Sequence, residues 1–225
     1  MAVAEPVAIE QTGGVAGGSA SPLSAVLPGG RIRRGTALSA GGDLPLLLAL
    51  AAEAAVGGAG WAAVGLPQLG ALAAVDAGLE LSAGLVVDAP GRSWTQVLAV
   101  LLETVPVVLV GWLGQAPDRV VRRLSSIMRR SGSVLLAVDS WPGAEVRLQV
   151  HNARWEGVGD GYGLLRGRRV TVSASGRGTA AAPRSADLWL PGPGGAARAA
   201  APASNPEVLH DDVAAPQRPA LRVVG

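Results

Sequence analysis

The chain has no lysine: all 19 of its basic residues are arginine. Cysteine and phenylalanine are also missing, and there are only two histidines and one tyrosine. Without lysine there is no ammonium for the β and γ phosphates of a nucleotide, no Schiff base and no Ser-Lys dyad. Without cysteine there is no disulfide, no thiolate nucleophile and no thiolate metal site. His151 stands alone, and His210 is followed only by Asp211 and Asp212 in a polar stretch. That trio reads as solvated charge, because a metal site needs more converging ligands. The N-terminus lacks a basic segment leading into an apolar core, so no signal peptide is expected. The apolar stretch Val97–Leu113 is broken by Glu103 and Pro106, which predicts a buried helix followed by a strand and no membrane span. The expected location is the cytoplasm.

What is present is a small-residue, aliphatic chain. Its 225 residues are 49 % hydrophobic, enough for one domain of ordinary size plus tails. The net charge is +2 although the isoelectric point is near 10.3, because almost nothing titrates between neutral and strongly basic pH. The distribution of charge is more telling. From Thr36 to Asp118 a single arginine, Arg92, faces seven acids, whereas from Arg119 to Arg184 twelve arginines face four acids. A basic second half suits nucleic acid or an acidic partner.

Residues 1–22 are rich in Gly, Ala and Ser without periodicity, and predict a disordered N-terminal arm. Over 23–178 the pattern is that of an α/β core. Short apolar runs recur at Thr36–Ala40, Trp61–Gly65, Leu85–Asp88, Val107–Val110 and Ser133–Val138, with helical segments between them. This βαβ rhythm predicts a mostly parallel sheet covered on both faces. The helices are expected at Leu44–Val56, Leu69–Ala77, Ser93–Glu103 and Asp118–Arg130, the last stopped by Gly132. Alternation over Glu145–His151 and Arg168–Ala174 predicts an antiparallel extension of the sheet. The remaining 179–225, rich in Ala, Pro and Gly, read as a disordered tail. Its apolar islands Leu188-Trp189-Leu190, Val208-Leu209 and Leu221–Val224 are candidate recognition motifs.

The run Leu27-Pro28-Gly29-Gly30-Arg31-Ile32-Arg33-Arg34-Gly35 followed by a strand resembles the lead-in to the core of RecA-type recombinases. In such a core the first strand ends in a phosphate loop, with Gly-Lys-Ser/Thr at the start of the next helix. Here Gly41-Gly42-Asp43-Leu44-Pro45 stands at that place. With Gly42 in the glycine slot, Asp43 takes the lysine slot and Leu44 the hydroxyl slot, and no other register supplies a Lys or an Arg. A carboxylate there repels a triphosphate by roughly several kcal/mol, so Asp43 is better read as a helix N-cap with Pro45 in the first turn. Val64-Gly65-Leu66-Pro67 carries no catalytic acid, and Val107–Val110 runs into Gly111-Trp112-Leu113 without a metal-binding one. The loop is therefore degenerate, and no catalytic residue, cofactor or metal is expected.

Other signals are weaker. Gly58-Ala59-Gly60-Trp61-Ala62-Ala63 fits a loose dinucleotide fingerprint but precedes a strand instead of following one. Gly157–Gly163 has glycine at every second position, a flexible loop in which Tyr162 could stack on a base. Arg122/Arg123, Arg129/Arg130 and Arg168/Arg169 are solvated faces or contacts to phosphate or an acidic partner. Trp141, Trp155 and Trp189 are more often packing than recognition, with Trp189 the exception, since its surroundings look disordered.

Taken with Gly-Trp-Ala-Ala-Val, the Arg119–Gly132 helix and Leu165-Arg166-Gly167-Arg168-Arg169-Val170, the stretch from about Leu27 to Gly178 resembles the ImuA-type proteins of actinobacteria. The resemblance implies a RecA-like fold and an accessory role in SOS-induced mutagenic DNA repair by translesion synthesis. It implies an ImuB-like partner, related to Y-family polymerases, and through it an error-prone DnaE-type polymerase. The expected protein is a non-enzymatic adaptor, with a DNA-binding RecA paralogue lacking ATPase activity as the alternative.

Overall fold

The computed structural model describes residues 21–159, 162–178 and 181–201. The expected arm up to residue 20, the islands Val208-Leu209 and Leu221–Val224, and His210 with its two aspartates lie outside the described residues.

One nine-stranded sheet organises the chain, in the order β3-β2-β4-β5-β1-β6-β7-β8-β9. Its strands are β1 (Ala37–Ser39), β2 (Trp61–Val64), β3 (Gly84–Val87), β4 (Val107–Val110), β5 (Val134–Ala137), β6 (Val146–Gly159), β7 (Tyr162–Gly176), β8 (Arg184–Trp189) and β9 (Arg198–Ala199). The pairings among β1 to β6 are parallel, and β6 through β9 run antiparallel. The layout expected from the sequence, a mostly parallel sheet covered by helices and continued by an antiparallel half, is the fold observed.

Four helices cover the parallel half: α1 (Leu44–Ala54), α2 (Ala71–Ala77), α3 (Trp94–Thr104) and α4 (Asp118–Ser131). Alternation along the buried strands sorts the core into two layers. Trp61, Ala63, Val107, Leu109, Val134 and Leu136 face α1 and α2. Ala62, Val64, Val108, Val110, Leu135 and Ala137 face α3 and α4. Six consecutive residues of α1, Leu46 to Ala51, are buried, because this helix lies under the lead-in segment Leu23–Leu27 as well as on the sheet. The strongly one-sided α4 buries Leu124, Ile127 and Met128 and ends at Gly132 with φ 77°, a left-handed turn that glycine adopts without strain.

The antiparallel half differs from expectation in two ways. The two anticipated strands are parts of a much longer hairpin, whose pairing runs out to Gly159↔Tyr162. The glycine-rich segment is thus its tip; residues 160 and 161 lie outside the described residues. More importantly, the stretch after Gly178 is not all tail. Arg184–Trp189 pairs with β7 from Ala174↔Arg184 to Arg169↔Trp189, and Leu188 and Leu190 are buried in the α1-side core. Alanine at position 186 hid the period-two pattern, since Ala186, Leu188 and Leu190 face inward while Ser185 and Asp187 alternate with them. The domain therefore extends to Ala199, well past residue 178.

Candidate functional site

The degenerate loop sits where β1 ends and α1 begins. Gly41 (φ 61°) and Gly42 (φ 86°) turn the chain in the left-handed region. A Cβ on Gly41 would come within 2.5 Å of the Leu148 carbonyl oxygen, so glycine is required where the loop passes over β6. Three backbone donors at the loop are already used. Ala40 N–H donates to Ala137 (2.8 Å), Gly42 N–H to Val138 (2.6 Å) and Asp43 N–H to Ala40 (3.1 Å). Pro45 supplies no N–H at the helix start.

Asp43 does more than cap. One carboxylate oxygen accepts from Leu46 N–H at 2.9 Å, the expected N-cap bond. The other accepts from the Arg168 guanidinium at 2.6 Å, and the two side chains are only 12 % and 13 % exposed. Arg168 Nε–H donates to the Leu190 carbonyl at 2.7 Å. The charged slot of the loop is thus filled from within by an arginine of β7. Two of the guanidinium's donors thus serve the protein's own backbone and carboxylate, and the buried side chain of Arg168 leaves little of it for the contact with DNA or a partner expected of it.

The other anticipated contacts divide. Arg122, Arg123, Arg129 and Arg130 are all exposed on α4, together with Arg119, and none pairs with a carboxylate among the described residues. Arg169, on the opposite face of β7 from Arg168, lies 3.6 Å from Asp187 and donates to the Ala201 carbonyl. Leu188 and Leu190 are core residues and cannot form a recognition island. Trp189 is half-buried in β8, where its ring lies 3.2 Å from the point a Gly167 Cβ would occupy, so it is packing as well. Tyr162 opens β7 at the hairpin tip, but its side chain is outside the described residues.

Three features differ from or add to what the sequence suggested. The first is Trp155, expected as packing but 52 % exposed, together with Leu165 at 59 %. A β-bulge between His151 and Arg154, with Asn152 at φ 52°, shifts the register so that Trp155 pairs with Arg168 and faces the α1 side. There a cleft of about 410 Å³ opens between the hairpin, the first turns of α1 and the 190–197 loop. Pro45, Leu48, Trp155, Leu165, Leu190 and Pro191 are among its lining. The second is the outer strand β3, whose Leu85 and Val86 are exposed. An edge strand with apolar side chains and unpaired backbone groups is a surface for partner chains. The third is a cavity of about 430 Å³ at the ends of β4 and β5, bounded by Trp112, Gln115, Asp139 and Trp141. Asp139 there belongs to no cluster of three or more metal-ligating side chains among the described residues.

The family model for the MT3502 N-terminal domain matches residues 25–143. An uncharacterized Mycobacterium tuberculosis protein, Rv3395c, is 32 % identical over 177 residues, covering 69 % of this chain and 87 % of that protein. The chain belongs to the MT3502 family. The matched region of the MT3502 family runs from the lead-in through β5 and stops before the long hairpin, so the Asp43–Arg168 pair joins the family domain to the extension. Among solved structures, the flagellar accessory protein FlaH from Methanocaldococcus jannaschii has 13 % identity and a TM-score of 0.49, over 77 % of this chain and 92 % of that one. Among the described residues no helix is long and apolar enough to cross a membrane.

Proposed function

We propose that this chain is a non-enzymatic adaptor of the ImuA type. In this reading it serves SOS-induced translesion DNA synthesis by binding an ImuB-like, polymerase-related partner, and through it an error-prone DnaE-type polymerase. The observation that carries the non-enzymatic part is the filled loop. Asp43 and Arg168 neutralise one another where a phosphate would need a free cation, and the N–H groups of Ala40, Gly42 and Asp43 already donate to backbone carbonyls. A fold that keeps its core while its phosphate cradle is closed acts through surfaces. The exposed β3 edge and the apolar cleft supply such surfaces.

The test is co-purification of the full chain with the polymerase-related partner, set beside calorimetric titration with ATP and magnesium. Stable co-elution with no heat of nucleotide binding is expected. Stoichiometric ATP binding, or failure to co-elute at micromolar concentration, overturns the reading. Because β8 belongs to the core, the truncation suited to probing the tail removes 202–225 and leaves Arg184–Trp189 in place.

A second reading, a DNA-binding RecA paralogue, is favoured by the five exposed arginines of α4 that find no described carboxylate. Steep salt dependence of single-strand binding is its signature.

A further inference from the structure

One face of the antiparallel half has no covering layer. Leu148, Val170, Val172 and Leu188 point into the α1-side core, and no described residue of β6 to β9 belongs to the core under α3 and α4. Strand register fixes what stands on the bare side, because cross-strand partners share a face. Gln149 pairs with Ser173 and His151 with Thr171, so its middle is amide, imidazole and hydroxyl. None of the described exposed large apolar side chains falls within 147–154, 169–175, β8 or β9. Trp189, which shares this face, is half-buried against Gly167. A protein partner needs an apolar centre to its interface, and this face offers none.

Arginine dominates the charge. Arg147, Arg154, Arg169 and Arg198 stand here, and of them only Arg169 meets a carboxylate among the described residues, Asp187 at 3.6 Å. Asp187 also accepts from Thr171 at 2.8 Å. The other described carboxylate on this stretch, Glu156, lies beyond Arg154 toward the hairpin tip. The bulge after His151 decides the pattern by setting Arg154 directly opposite Arg169. With unbroken alternation Arg154 would turn to the α1 side and Trp155 would take the bare face. Like charges directly opposite destabilise a strand pair, and an anion lying over them removes that cost.

The basic surface continues onto α4. Val121 and Ser125 abut Gly143, just before β6, and the Arg129 backbone abuts Gly35, just before β1. That flank of the helix is turned toward the hairpin, and Arg122 and Arg129 stand beside it on one helical stripe. Asp118 is the one carboxylate of this helix. From β6 to β9 the floor is about 14 Å across, and from Arg147 to Arg154 it is about 20 Å long. That is room for one extended backbone lying along it.

We propose that the bare face of β6 to β9, continued by Arg122 and Arg129, holds a single strand of nucleic acid by its phosphates. Arg147, Arg154 and Arg198 are the principal contacts, since a guanidinium fork matches phosphate geometry. The site rests on the second reading above, in which the chain binds single strands, and says where they lie.

The test follows a fluorescein-labelled thymidine oligomer of about 20 nucleotides by anisotropy on the full chain as salt is raised. Arg147→Ser, Arg154→Ser and Arg198→Ser together should lower the slope of log affinity against log salt by about 2, three phosphates at about 0.7 each. Arg31→Ser, Arg92→Ser and Arg166→Ser remove the same charge from exposed positions elsewhere and should leave the slope unchanged. Equal falls in the two triples overturn the proposal. If the face triple binds like the parent while the α4 arginine variant does not, this site falls and the DNA reading stands. A parent chain that does not bind at low salt overturns both. Displacement by polyglutamate as readily as by unlabelled oligomer would assign the face to an acidic protein instead, and stronger competition by duplex would rule out the single strand. A second readout leaves the arginines intact. The chain has no cysteine, so Gln149→Cys on this face and Leu72→Cys on exposed α2 can be labelled with a maleimide. The oligomer should protect the first severalfold and the second not at all; an unprotected Gln149→Cys overturns the site. Melting temperatures of all variants keep loss of fold apart from loss of contact.

Discussion

At the scale of single residues, Asp43 decides the character of the loop. It holds the first turn of α1 with one oxygen and Arg168 with the other, so it joins the start of the domain to its last third. Removing one member of a buried pair leaves an uncompensated charge, which costs about 3 kcal/mol. Arg168→Leu and Asp43→Asn should each lower the free energy of unfolding, read from urea titration, by that order, while the double variant loses much less than the sum. Additive losses would show that the two groups do not act as a pair. A second expectation concerns repair of the loop. Asp43→Lys with Leu44→Thr restores the residue types of a working loop but leaves the Ala40 and Gly42 N–H groups bonded to carbonyls, and Pro45 stays. Equilibrium dialysis should find no ATP retained; saturable retention would place the obstacle in side-chain identity alone. The first half of this was legible in the sequence, since Asp43 and Pro45 read directly as a cap. Arg168 was not, because its partner lies 125 positions away and only the sheet order brings β7 beside α1.

At the scale of elements, β8 is where composition misled. A stretch of Ala, Pro, Gly and Arg looks unstructured, yet six residues of it complete the sheet and carry Leu188 into the core. Leu188→Asp places a charge in an apolar layer and should cost more than about 3 kcal/mol, read from thermal or urea unfolding. Truncation after Ala201 should leave the melting temperature within a few degrees of the full chain, whereas truncation after Gly178 abolishes the cooperative transition. Equal melting temperatures for the two truncations would remove β8 from the core. By contrast the parallel strands and four helices were placed within a few residues from periodicity alone. Each is a local pattern: strands buried on both faces read as short aliphatic runs, and α4 shows its stripe and its glycine stop.

At the scale of the whole molecule, charge is split between functions that composition alone cannot separate. Of the arginines singled out in the basic half, Arg168 and Arg169 are engaged inside the sheet, while the α4 set faces solvent. If the protein binds DNA as a RecA paralogue, replacing Arg122, Arg123, Arg129 and Arg130 by Ser should weaken its hold on single strands. The slope of log affinity against log salt should fall by about 0.7 for each phosphate no longer neutralised, measured by fluorescence anisotropy. An unchanged slope would remove α4 from any nucleic-acid interface. Because these side chains are exposed, the same variant should keep its melting temperature.

What the sequence by itself determined is what the chain lacks and how its local segments fold. No lysine, no cysteine and a carboxylate in the loop are statements about chemistry available, and strand and helix periods are set by residues two to four positions apart. What only the tertiary structure decided is which residues meet. The closing of the loop by Arg168, the burial of Leu188 and the aiming of Trp155 all depend on hairpin register, where a single bulged residue moves every following side chain to the other face. Register is a property of paired strands, and no window along one strand contains it.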